Sequence, residues 1–187
     1  MAQRFDLIDR LKARIALLAI GRSTLRNQGA PGMVVAARKY LRKVPLRAFS
    51  VTSARRFASV LERHTQALMK RFPRKRKANK NWGAARKALN IFLRDVVYSR
   101  LLADHYRLGR VEPWLELPLD SNTYRGLAED WKGPCEIPRW PRLKNLGRDT
   151  SRELQTIAAA IAKSLHTHRV HLDIKYWRKG AIDRLDG

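Results

Sequence analysis

The sequence predicts an all-α protein, a single compact helical domain over residues 1–187, on three observations. Apolar residues recur at three- and four-residue spacing in five segments, the period of a helix buried on one face. The one stretch that alternates apolar and polar residues, Val170 to Trp177, has no second strand-like stretch to pair with. And 187 residues can bury a sizeable core without disulfides or metal.

Residues 6–20 place Leu7, Ile8, Leu11, Ile15, Leu18 and Ala19 on one helical stripe, which Gly21 ends. The following GRSTLRNQGAPG, with Gly29, Pro31 and Gly32, reads as a loop: a solvated connection, or a segment brought near a ligand by Arg22, Arg26, Asn27 and Gln28. Val34, Ala37, Tyr40 and Leu41 mark a short helix from Met33 to Arg42, closed by Pro45. Thr52 or Ser53 caps the next helix, whose stripe is Phe57, Val60, Leu61, His64 and Leu68 and which Pro73 stops. His64 reads as a packed core histidine, because no second ligand accompanies it at metal spacing. Residues 70–80, KRFPRKRKANK, hold seven basic residues and no acid, either a solvated run or a set of phosphate contacts.

From about Gly83 to Tyr106 the pattern predicts one long helix with Ala85, Leu89, Phe92, Leu93 and Val96 on its core side. At about 100° per residue Lys87 falls nearly opposite that stripe, in a row with Ile91, Arg94 and Tyr98. A helix apolar on one side and half apolar on the other is central to its fold, and its second side lines a groove. Pro113 and Pro118 demand extended backbone before each, and Asp120 or Ser121 caps a helix from Asn122. WKGPCEIPRWPRLKNLG is too irregular for an element and reads as a long ordered loop. Thr150 and Glu153 form a capping box opening a helix with stripe Leu154, Ile157, Ala158, Ile161 and Leu165. The tail is read as a short C-terminal helix. Its His166, His168, His171 and Asp173 match no common zinc pattern, so no metal or other cofactor is expected.

Lysine and arginine number 40 against 16 acids, a net charge of +24 and a pI of about 11.3, so a polyanion is the first partner to consider. Charge assigns class and not activity, since a ribosomal or membrane-surface protein would share it. With 44% hydrophobic residues the chain is a folded body with a charged skin rather than a disordered tail. Cys135 is the only cysteine, which excludes an intramolecular disulfide and a cysteine-rich zinc site and fits a reducing compartment. No apolar run reaches membrane-spanning length and the N-terminus lacks a secretory core, so a cytoplasmic, nucleoid-associated monomer is expected.

The run WGAARKALNIFLRD followed by LPLDSNTYRGL resembles the helix-hairpin-helix DNA glycosylase superfamily over roughly forty residues. The resemblance implies a helix-hairpin-helix element and a basic face for double-stranded DNA. It also implies Lys87 at the nucleophile position and Asp120, in Leu117-Pro118-Leu119-Asp120, at the position of the catalytic carboxylate. Their separation of 33 residues is similar to that of the archaeal 8-oxoguanine glycosylase branch. The hairpin's usual pair of glycines is represented by Gly83 alone.

On that resemblance the protein flips out and removes a damaged or modified base, a step of DNA repair by base excision, and cleaves the abasic strand as a lyase. Asp120 stabilises positive charge on the sugar. Lys87 attacks C1′ in its unprotonated form, with Arg86 and Arg94 as cationic neighbours. Gln28 and Asn27 are candidates for the base edge, and Trp131, Trp140 or Trp177 for stacking. Arg26, Gln28, Arg74, Lys75, Arg76, Lys77, Lys80, Arg86 and Arg94 are the expected nucleic-acid contacts. The competing readings are a non-catalytic basic helical DNA- or RNA-binding protein, in which Lys87 touches phosphate and Asp120 is only a helix cap, and a nuclease or nucleoprotein subunit.

Overall fold

The computed structural model describes residues 6–177, apart from 22, 26, 27, 29 and 74–80. Within them the protein is all-helical and contains no strand. The helices are α1 (Leu7–Ala19), α2 (Met33–Lys43), α3 (Ala54–Arg71), α4 (Trp82–Tyr98), α5 (Arg100–Tyr106), α6 (Ser121–Asp130), α7 (Arg148–Ser164) and α8 (Leu172–Tyr176). Single 3-10 turns occupy Leu46–Phe49, Gly109–Trp114, Leu143–Asn145 and Arg169–His171.

The stripe of α1 is narrower than its sequence predicts. Leu7 and Leu18 are exposed, Leu18 at 66%, while Lys12, Ala16 and Ala19 form the buried row. Small side chains in that row let α1 approach α4 closely, which moves Leu18 to the margin. Lys12 is accommodated because its Nζ donates to the Val44 carbonyl at 2.6 Å, and burial lowers its pKa. In α3 the expected cap and stripe both form: Ser53 Oγ accepts from the Arg56 N–H, and Phe57, Val60, Leu61 and Leu68 are buried. His64 is a packed histidine, 2.7 Å from the Tyr40 hydroxyl and against the Phe49 ring; burial, aided by Arg63, depresses its pKa.

The predicted long helix is two helices. Ser99 is extended, with φ −84° and ψ 99°, and its N–H closes α4 on the Asp95 and Val96 carbonyls. A straight continuation would carry residues 100–106 past the core. The break instead turns α5 back over α1 and buries Leu102. The capping box at Thr150 and Glu153 also does not form. α7 starts earlier, at Arg148 after Gly147, because Leu146 is buried and Arg148 is drawn onto Glu62 at 2.7 Å. Of its stripe Leu165 is exposed, since α7 ends one residue before it.

Buried side chains gather in two clusters. One joins α1 to α5, and the other joins α6, α7, α8 and the turn before α7. α4 bridges them, with Trp82 in the second and Ala84 to Val96 in the first. Every residue from Trp82 to Asn90 is buried, so this helix is covered on all sides for more than two turns. Gly83 makes the cover possible: a Cβ there would lie 2.3 Å from the Leu143 carbonyl oxygen and 2.8 Å from Leu146 Cβ.

Gly83→Ala is therefore expected to destabilise the fold by about 1–3 kcal/mol in urea unfolding, because a backbone carbonyl cannot rotate away, and despite the better helix propensity of alanine. Gly109→Ala, where nothing lies within 4 Å of the added methyl, is the control and should stay within about 0.5 kcal/mol of the parent.

Candidate functional site

Lys87 and Asp120 meet. The Lys87 Nζ lies 2.9 Å from Asp120 Oδ2, with side chains 9% and 27% exposed. Lys87 is held by its place on the enclosed half of α4. Asp120 is delivered by the extended segment Leu115–Pro118, which α7 clips from one side: the Leu117 N–H donates to Gln155 Oε1 at 3.0 Å, and Gln155 Nε2 donates back to the Leu117 carbonyl at 2.8 Å. One side-chain amide thus substitutes for a neighbouring strand.

Asp120 also does what its sequence context predicts as a cap. Its Oδ1 accepts from the Asn122 and Thr123 N–H groups at 2.8 and 3.0 Å, and Thr123 Oγ1 accepts from the Asp120 N–H, completing a capping box. One carboxylate oxygen serves the helix and the other serves Lys87. Burial works to raise the Asp120 pKa, but the Lys87 charge and these hydrogen bonds outweigh it and hold the carboxyl below its usual value. The gap beside Lys87 is closed: no water-sized space is left between it and Gly83, Leu119, Leu146, Ser151 and Gln155.

Next to Lys87 lies a charge network that sequence reasoning missed. Arg86 is buried and makes a fork to Glu116, Nε to Oε2 and Nη2 to Oε1, both at 2.8 Å. Its Nη1 reaches Glu62 at 3.3 Å and Thr65 Oγ1 at 3.0 Å. Asn90 Nδ2 donates to Glu116 Oε2 at 3.0 Å, and the Trp82 indole N–H and Arg148 close on Glu62. Burial would raise the pKa of Glu116 and Glu62, yet these donors keep both depressed. A signal was present: with only 16 acids in the chain, a glutamate inside Leu115-Glu116-Leu117 has to find a buried cation.

The structure distributes the other expected residues as follows. The Arg86 donors are taken up inside the fold. Arg94 pairs with Asp95, at 2.7 Å, and with Asp173. The Arg94–Tyr98 end of the predicted row therefore faces the C-terminal segment, since Tyr98 also stacks on His171 and bonds its Nδ1 at 2.7 Å, while Ile91 packs on the first core cluster. His171 further contacts Glu112 at 3.1 Å, and no metal-ligating cluster of three or more His, Cys, Asp or Glu forms among the described residues. The Gln28 carbonyl accepts from the Asn81 side-chain amide. Trp140 stacks on Tyr124 with ring centres 5.5 Å apart, the Trp131 N–H donates to the Cys135 carbonyl, and Trp177 is 56% exposed. Arg22, Arg26, Asn27, Arg74, Lys75, Arg76, Lys77 and Lys80 lie outside the described residues.

Against protein-family models, curated proteins and solved structures the chain finds no match. No helix among the described residues is long and apolar enough to cross a membrane.

Two stability outcomes follow from the double use of Asp120. Asp120→Ala removes cap and counter-charge together and should cost about 3 kcal/mol or more, whereas Asp120→Asn keeps the cap and should recover about 1 kcal/mol of that in chemical denaturation. Because the folded pKa is depressed, the contribution of the pair is complete above about pH 4 and is lost as pH falls through the lower folded value. The acid limb of a pH–stability profile should accordingly be shallower in Asp120→Asn than in the parent.

Proposed function

We propose that this chain is a DNA base-excision enzyme, a glycosylase with abasic-site lyase activity, built on Lys87 and Asp120. The observation that carries the reading is their contact. Two residues 33 apart in sequence, chosen because the chain resembles helix-hairpin-helix glycosylases, stand 2.9 Å apart on α4 and at the start of α6. On this reading the basic residues of the run 70–80 contact the phosphates of double-stranded DNA, while Gly83, the expected hairpin glycine, lies inside α4 against the Leu143 carbonyl and takes no part in phosphate grip.

The chemistry fits the residues. Asp120 is ionised at neutral pH and stabilises the positive charge that grows on the sugar as the N-glycosidic electron pair leaves with the base. Lys87 passes a proton to the departing base and its amine bonds C1′; cleavage of the C1′–O4′ bond opens the sugar to a Schiff base, and loss of a C2′ proton with expulsion of the 3′ phosphate cleaves the strand. Since the gap beside Lys87 is closed, the flipped nucleotide approaches the partly exposed flank of Asp120. Trp177, 56% exposed just after α8, is the stacking candidate, since Trp140 already stacks on Tyr124 and the Trp131 N–H is taken by the Cys135 carbonyl. The cationic neighbours expected for Lys87 from the sequence, Arg86 and Arg94, are neutralised by Glu116, Glu62, Asp95 and Asp173.

The same closed gap and the capping role of Asp120 favour a second reading, a non-catalytic basic DNA- or RNA-binding protein in which the pair is a strut. Borohydride trapping separates the two. Duplexes carrying 8-oxoguanine, an abasic site or a modified pyrimidine should yield a covalent protein–DNA band that disappears in Lys87→Gln, with base release slowed about 10²–10³-fold in Asp120→Asn. Tight, salt-sensitive binding with neither a band nor base release on any duplex would give the chain to the second reading.

A further inference from the structure

A groove of about 810 Å³ opens on the side of α3 that faces the end of α7, well inside the ~300–1,000 Å³ range of small-molecule sites. It stays open because its facing walls are built from alanines, Ala54 and Ala58 on α3 and Ala159 and Ala162 on α7, where larger side chains would fill it. Its floor is aromatic, with the Phe57 and Trp114 rings 6.3 Å apart and tilted by 52°. The Glu116 carboxylate is also part of the lining. Arg86 and Asn90 use three of its roughly four acceptor positions, which leaves one for a ligand N–H. Lys163, His166 and His168 are exposed at the end of α7 and just beyond it, Arg169 is held by the Trp114 and Leu115 carbonyls on the Glu116 side, and Glu116 is the sole acid among the described lining residues.

An alkyl chain would bury Glu116 against carbon, and a bare inorganic anion would leave the aromatic floor uncovered. The combination matches a flat ring with N–H groups carrying an anionic tail. We infer that this groove is a binding site for a nucleoside monophosphate, with the base on Trp114 beside Glu116, buried Phe57 backing that ring, and the phosphate at Lys163 and the two histidines. The site is separate from Lys87 and Asp120, and the inference stands whether or not that pair is catalytic.

Titration calorimetry with adenosine and guanosine 5′-monophosphates tests it, with adenosine and inorganic phosphate as partial ligands. At least one nucleotide should bind saturably, and adenosine and phosphate should each bind at least tenfold more weakly. Ala159→Trp, at an exposed position that does not enter the core, should abolish binding by filling the groove; Lys163→Glu should weaken it at least tenfold. Both variants should keep the parental unfolding temperature, and should Ala159→Trp fail to fold, Lys163→Glu alone decides. A 5′-phosphorylated oligonucleotide that displaces the nucleotide would make a strand end the source of the ligand; failure to displace it would make the source the free nucleotide. No saturable binding of either nucleotide, or binding that survives both substitutions unchanged, overturns the assignment.

Discussion

The fold is pinned by the need to find partners for polar groups that α4 carries into the interior. Arg86, Lys87 and Asn90 lie within about one turn of a helix that is covered on every side. Leaving either cation buried and alone would cost several kcal/mol, comparable to the net stability of a domain, and the Asn90 amide needs a hydrogen-bond partner as well. Their partners come from three other places: Glu62 from α3, Glu116 from the extended segment, and Asp120 from the start of α6. Each contact fixes the position of an element relative to α4. The apolar clusters on either side supply the bulk of the driving force, and the charges specify which packing that force produces.

This arrangement explains why some of the molecule was legible in its sequence and some was not. α3 could be read closely because it buries one face, shows a Ser53 cap and meets Pro73 at its end. α4 has no clean solvent face, so periodicity described half of it and left the occupants of the other half unknown. The break at Ser99 carries no glycine or proline, and only the gain from folding α5 back over α1 produces it. The capping-box pattern at Thr150 lost to a tertiary attraction, the pull of Glu62 on Arg148. In α1 the stripe is narrower than the leucines suggest: Ile8, Leu11 and Ile15 pack on the core as expected, while Leu7 and Leu18 are exposed and the buried row takes in Lys12, whose Nζ reaches the Val44 carbonyl.

At the candidate site, Lys87 and Asp120 were identified through a resemblance, and the structure adds that they touch. What sequence could not supply was the second layer, since Glu62, Thr65 and Glu116 are scattered over 55 residues and share no motif. The same layer bears on chemistry. By neutralising Arg86 so fully, it removes a positive field from beside Lys87 and leaves the lysine and its aspartate as an isolated couple. An ion pair that a fold keeps for stability and one that an enzyme keeps for reaction can be the same pair, so on the proposed reading activity and stability would be coupled at these two positions.

The missing side chain at Gly83 has a consequence of a different kind. The turn at Leu143–Asn145 rests on the bare backbone of α4, and that turn is the last part of the irregular stretch between α6 and α7. The route of this stretch is thus dictated by one atom's absence some sixty residues earlier. In any chain that shares this fold, a residue other than glycine at this point requires a different path before α7, so through divergence the two segments will change together or not at all.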